Sequence, residues 1–329
     1  MTTSTRRSRW LVLMLIVAAP ASLLLSAFIG SARIPPAEIL AALTGGGDAV
    51  TETLVFQLRL PRAAAAFVVG GLLALAGTLM QVLLRNPLAD PYILGVSGGA
   101  AVAALVAISL GLGAVWIDLG AFAGAMSISL LVFWLAHGRG GWTPVRLLLT
   151  GIVVASGLSA LISVLLTLGD DTSLRGMLFW LMGDLSLAGW PVRGGAVLML
   201  MLALFLLLAR HLNVLARGDM QATLLGVSVR PVRIALFVAG SLATAVAVTT
   251  AGSIGFVGLV VPHMVRLATG SDHRRVIPGA VLLGGTLLVL ADIAARTVLA
   301  PRQLPVGALT ALIGVPLFLY LMQRQRQVA

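Results

Sequence analysis

The sequence predicts an all-helical membrane protein with about ten spans and both termini on the cytoplasmic side. Three observations carry that prediction. Hydrophobic residues make up 59% of the 329-residue chain and charged residues only 10%, with a mean hydropathy of +1.07. A soluble domain carries roughly 25% charged residues, so this chain lacks the polar groups to cover a water-facing surface. Apolar runs of about 20 residues, the length of one span, recur between charges, prolines and glycines. The arginines also gather on alternate loops, as the positive-inside rule requires.

The formal net charge is +11, and every positive side chain is an arginine, none a lysine. In a soluble chain that charge points to nucleic acid; here loop arginines of a membrane protein account for it, and no nucleic-acid partner is expected. The absence of lysine reflects codon bias. With no cysteine in the chain, disulfides, thiolate metal ligands and cysteine nucleophiles are excluded.

Arg6, Arg7 and Arg9 precede an apolar run from Trp10 to Ile29, longer than a usual signal h-region, so it is read as a retained first span. The other spans are expected over 60–83, 92–112, 115–137, 146–168, 191–210, 231–250, 254–269, 276–299 and 305–323. The segment 254–269 is too short for a straight span, and broken helices at membrane depth must pack inside protein or line a cavity. The whole of 1–329 is read as a single transmembrane domain.

With the N-terminus inside, the cytoplasmic loops receive Arg85, Arg139, Arg146, Arg210, Arg217, Arg230, Arg233, Arg266, Arg274, Arg275, Arg324 and Arg326. The opposite side receives Arg33, Arg59, Arg62, Arg175, Arg193, Arg296 and Arg302, together with most of the acids. Two outer loops are long, 31–58 and 169–190, and the second carries Phe179, Trp180 and Trp190 as either an interfacial belt or a vestibule lining. The long inner loop, 211–230, alternates leucines with polar residues and either rests on headgroups or docks onto a cytoplasmic partner.

A phosphate-binding GxxxxGK[ST] loop is impossible without lysine, so this chain has no usual route to ATP hydrolysis. Ion-coupled carriers need ionisable groups buried near the midplane, and the spans are nearly free of them. Asp292 lies four residues from Arg296, a spacing that makes an ion pair on one helical face. His263, beside Pro262, is either a packed residue or a proton relay, and the relay lacks a chain of carboxylates. Energy therefore comes from a partner, with an ion-driven secondary carrier as the competing reading and a non-transporting scaffold as the third.

Three composite stretches go further. They are RLPRAAAAFVVGGLLALAGTLMQVLLRNPLADPYILGVSGGA at 59–100, GSIGFVGLVVPHMVRLATGSDHRRVIPGA at 252–280 and ADIAARTVLAPRQLPVGALTALIGVPLFLYLM at 291–322. In order and spacing they resemble the FecCD-type permeases of ATP-binding-cassette (ABC) importers for ferric siderophores, haem and cobalamin. The resemblance covers essentially the whole chain. It implies the type II ABC importer permease architecture, a homodimer or pseudo-homodimer in the bacterial inner membrane, two cytoplasmic ATP-binding subunits and a periplasmic substrate-binding protein. ATP and Mg then act on the partner subunit, and this chain binds no cofactor or metal and is not itself an enzyme.

By the same resemblance, Arg59, Arg62 and Arg296 match arginines that meet acidic residues of the binding protein; interfacial snorkelling is the bland alternative. Asn213, Leu215, Arg217, Gly218, Ala222, Leu225 and Gly226 match the segment that couples to the ATPase. The turn Trp142-Thr143-Pro144-Val145 falls at the family's inner constriction, so Thr143, Pro144 and Val145 form a candidate cytoplasmic gate without the hydroxyl pattern of some members. Arg175 and Trp180 are candidate vestibule residues, Arg175 either meeting an anionic cargo or pairing with Asp170 or Asp171. The resemblance puts an iron chelate (siderophore or haem) first as cargo and cobalamin second.

Overall fold

The computed structural model describes residues 3–137 and 143–326, with side chains placed from Trp10 to Gln323. Arg139 and Trp142 lie outside the described residues, as do the side chains of Arg6, Arg7, Arg9, Arg324 and Arg326. Among the described residues the fold is entirely helical: α1 (Thr3–Phe28), α2 (Pro36–Leu43), α3 (Ala49–Thr53), α4 (Leu60–Leu83), α5 (Val96–Ser109), α6 (Ala114–Ala136), α7 (Pro144–Leu168), α8 (Asp171–Met182), α9 (Val192–Leu207), α10 (Ala209–Leu215), α11 (Asp219–Leu224), α12 (Val229–Ala251), α13 (Val257–Thr269), α14 (His273–Thr297) and α15 (Val306–Arg326).

Each of the ten expected apolar segments falls on a helix, in order. Seven are long and apolar enough to cross a bilayer by themselves, and α9 with α10, bent by 64°, makes an eighth if counted as one span. The two shortfalls are α5 and α13, of 14 and 13 residues. Both begin just after a Gly/Pro-containing break, and both are packed inside the bundle, where irregular backbone finds protein partners instead of lipid.

Helix α4 is the hub. In the run from Ala49 to Leu83, 83% of the most apolar window is buried, against 17% for α7, so α4 is enclosed by protein and α7 faces outward. Glycines allow the enclosure. A Cβ on Gly70 would strike the Gly284 carbonyl of α14, and one on Gly77 would strike the Gly258 carbonyl of α13. The run is also longer than the expected 60–83, because α3 joins α4 through a π-helical turn, Leu54–Arg59. Asp48 starts it, its carboxylate accepting the Thr51 N–H at 3.3 Å.

Candidate functional site

The functional residues gather at opposite ends of α4 and α14. Asp292 and His273 are separated by about 28 Å along α14 at 1.5 Å per residue.

At one end, Asp292 is fully buried and takes two guanidiniums. Arg62 reaches it with Nε (2.9 Å to Oδ1) and Nη2 (2.8 Å to Oδ1), and Arg296 with Nε at 3.1 Å to Oδ2. Each guanidinium also reaches a neutral partner: Arg62 Nη1 donates to Gln303 Oε1 at 2.9 Å, and Arg296 Nη2 to Ser26 Oγ at 2.7 Å. Arg59 does not join the carboxylate. It donates to the Ala27 carbonyl in the last turn of α1, where the helix presents a partial negative charge, and to the Ala32 carbonyl beyond the helix, both at 2.7 Å. Gly30 leaves room for it, since a Cβ there would come within 2.9 Å of Arg59 Nε.

The sequence places these three arginines on a solvated rim; the structure buries them, at 5%, 8% and 4% exposure for Arg59, Arg62 and Arg296. The π-helical turn is one reason, because it changes the angular position of Arg59 relative to a regular helix. Three cations and one carboxylate leave a local surplus of positive charge in this cluster.

At the other end, α10 and α11 fold the inner loop into two short helices. Leu215 and Ala222 are buried against the bundle, while Met220, Leu224 and Leu225 are exposed as an apolar tip. Gly218 (φ +117°) and Gly226 (φ +78°) make the turns, in a backbone region that favours glycine. Asn213 is the latch. Its Nδ2 donates to Asp272 Oδ1 at 2.8 Å, and its Oδ1 accepts the His273 backbone N–H at 2.9 Å and contacts His273 Nδ1 at 2.7 Å. Asp219 accepts Arg233 at 2.8 Å and lies 3.8 Å from Arg85. Arg217 is exposed beside a polar cavity of about 620 Å³. Asp272, His273, Asp219 and Arg233 carry no separate sequence signal for this role, beyond Asp272 in a Ser-Asp-His start of a helix.

Between the ends, the outer loop 169–190 folds inward. Helix α8 ends against the α12–α13 turn: Asp184 N–H donates to the Ala251 carbonyl at 2.9 Å, and Val306 N–H to the Gly183 carbonyl at 3.1 Å. Trp180 is half-buried there, and its carbonyl accepts Ser253 N–H at 3.4 Å. Arg175 is exposed and lies over the Phe179 ring, 5.8 Å from its centroid, and forms no ion pair with Asp170 or Asp171. The break before α5 is tied to the same turn, Tyr92 OH donating to the Ile254 carbonyl at 3.1 Å and accepting its N–H at 3.0 Å. Asp90 caps this break through the Tyr92 N–H at 2.7 Å, and burial pushes its carboxyl up to about 6.

Thr143 caps α7 through the Arg146 N–H at 3.3 Å, with Pro144 in the first turn and Val145 exposed. His263 is buried and packs edge-on against Phe318, with ring centroids 6.5 Å apart.

The FecCD transport family profile matches residues 7–324. The chain belongs to that family. Among FecCD relatives, the hemin transport system permease HmuU of Yersinia pestis is 44% identical over 82% of this chain and 83% of its own length. The vitamin B12 import permease BtuC of Escherichia coli strain HS is 39% identical over 97% and 96%. The iron(3+)-hydroxamate import permease FhuB of Bacillus subtilis is 41% identical over 84% and 73%. A solved structure described as "an inward-facing conformation of a putative metal-chelate type ABC transporter" superposes with a TM-score of 0.84 at 32% identity, covering 95% of this chain and 98% of that one. This FecCD chain is therefore a multi-pass membrane permease of the ABC importer type, a transport subunit that works with ATP-binding and substrate-binding partners.

Proposed function

We propose that this permease carries an iron chelate, a siderophore or haem, across the bacterial inner membrane as half of a permease dimer. Two cytoplasmic ATP-binding subunits supply ATP and Mg, and a periplasmic binding protein delivers the cargo. The chain acts as one transmembrane unit of about ten spans with both ends inside, α5 and α13 serving as the short third and eighth spans. The match to the hemin permease, at 44% identity, carries the cargo assignment. Cobalamin is the second reading, favoured by the vitamin B12 permease, which matches over nearly the full length of both chains.

In this reading the arginine end docks the binding protein. The surplus of positive charge around Asp292 attracts acidic side chains and sets register, a role in which potential matters more than protruding side chains. The coupling end is supported by the exposed Met220, Leu224 and Leu225, an apolar tip suited to a cleft on the ATPase, with Asn213, Leu215, Arg217, Gly218, Ala222 and Gly226 shaping it. Arg175 and Trp180 border the vestibule, and Thr143 to Val145 form the inner gate.

Uptake into sealed vesicles tests the reading. Reconstituted with the ATPase and binding protein, the permease should accumulate haem or ferric siderophore only with ATP. Uptake that followed a proton or sodium gradient alone would overturn it, and uptake of cobalamin alone would replace the cargo.

A further inference from the structure

Helix α15 does not close fully onto the bundle. Its most apolar window is 22% buried, against 72% for α14, so it is held along one face. At that face α13, α14 and α15 bound a cleft of about 300 Å³, formed by Leu283, Leu287 and Ala294 of α14, Ile313 of α15, and Phe256 and Val260 of α13, among others. Its lining is apolar. The two hydroxyls that belong to it are withheld: Thr310 Oγ1 lies between the Gly255 and Gly307 carbonyls, at 3.2 and 2.9 Å, and Thr286 Oγ1 is buried beneath the surface.

Depth and length narrow the choice of occupant. Leu283 and Ala294 stand about 16 Å apart along α14, at 1.5 Å per residue. Gly285 is the middle of that 25-residue helix, so the cleft runs from mid-span toward the arginine end. One leaflet of a bilayer has about 15 Å of hydrocarbon, half of the roughly 30 Å core. Spread over such a length, about 300 Å³ makes a slot and not a chamber. Leu290 and Ile313, 45% and 56% exposed, stand at its mouth. At this depth there is no water to enter, and an apolar cavity stays dry in any case. Without an occupant, the lining would forfeit dispersion contacts along the whole slot. An extended alkyl chain restores them and needs no polar partner.

We propose that this cleft is a binding site for one acyl chain of a membrane phospholipid, drawn from the leaflet on the arginine side, so that α15 rests partly on lipid. The site is independent of which cargo the permease carries.

The test uses the purified full-length chain in maltoside micelles. The protein has no cysteine, so Ile313→Cys carries a single thiol-linked fluorophore at the mouth. Leu130→Cys carries one on α6, at a position 59% exposed and outside the cleft. Phosphatidylglycerol brominated in mid-chain is titrated as the quencher. Quenching at Ile313 should saturate, with its midpoint at about tenfold less lipid than at Leu130. Two changes are then added to Ile313→Cys: Leu290→Phe, an exposed change that narrows the mouth, and Ala294→Phe, which fills the slot. Each should move the midpoint severalfold toward that of Leu130. Equal midpoints at the two labelled positions, or a midpoint that neither added change moves, overturns the proposal. So does a disulfide-linked dimer of unlabelled Ile313→Cys formed by mild oxidation in phospholipid vesicles, because a second copy of the chain would then cover the cleft.

Discussion

Asp292 is the residue on which the arginine end depends. It neutralises part of the charge of Arg62 and Arg296, both buried, through contacts of 2.8–3.1 Å. Removing one partner of a buried ion pair leaves an uncompensated charge, at a cost of about 3–5 kcal/mol. Asp292→Asn should therefore lower the thermal midpoint of the purified permease sharply, whereas Arg59→Gln, which gives up carbonyl contacts only, should lower it much less; equal losses in a thermal-shift assay would remove Asp292 from this role. Asp90 gives a second prediction, with a definite sign. Burial raises its folded carboxyl from 3.8 to about 6. Below pH 4 both states hold the proton and the group is neutral to stability. Between pH 4 and 6 the unfolded chain ionises first, so stability falls, by up to about 3 kcal/mol above pH 6. Asp90→Asn keeps an acceptor for the Tyr92 N–H and should flatten this slope in unfolding experiments between pH 4 and 6.

At the scale of elements, the apolar runs were legible because a span needs about 20 residues without charge, and nothing else in the chain imitates that. The shortness of 254–269 was legible too, from the glycines of its leading turn. Other features depend on contacts that no local window contains. Asn213 meets Asp272 across 59 positions and Arg62 meets Asp292 across 230, so sequence could pair Asp292 with Arg296 four residues on but could not bring Arg62 to that carboxylate or Asp272 to the coupling loop. The burial of Arg59 was hidden for a different reason, since a π-helical turn breaks the 3.6-residue period by which faces are assigned. Close helix approach, by contrast, needs only small residues on one helix, and Gly70 and Gly77 of α4 supply them. Their replacement tests the hub: Gly77→Ala would push a methyl into the Gly258 backbone carbonyl, which no side-chain rotation relieves. Overpacking of this kind costs about 1–3 kcal/mol, and the α4–α13 contact should loosen, measured as faster amide exchange in α13.

At the scale of the whole molecule, α14, like α4 beside it, carries residues of both functional ends. Its first turn is latched by Asn213 to the coupling segment, and its last turns hold Asp292 and Arg296. Most of its length is buried against α4, with the Gly284–Gly70 contact near the middle, so a displacement at one end is transmitted along a stiff, packed rod and not absorbed by loops. In the proposed assembly this joins binding-protein docking to ATP hydrolysis. Asn213→Ala removes the hydrogen bonds to Asp272 and His273, worth about 1 kcal/mol each, while leaving Leu215 and Ala222 to hold the loop on the bundle. The ratio of ATP hydrolysis with and without loaded binding protein should then fall toward one in the reconstituted complex. A ratio equal to that of the wild type would mean that the signal crosses the membrane by another route, α4 being the next element to test because Arg62 and Gln81 stand near its two ends.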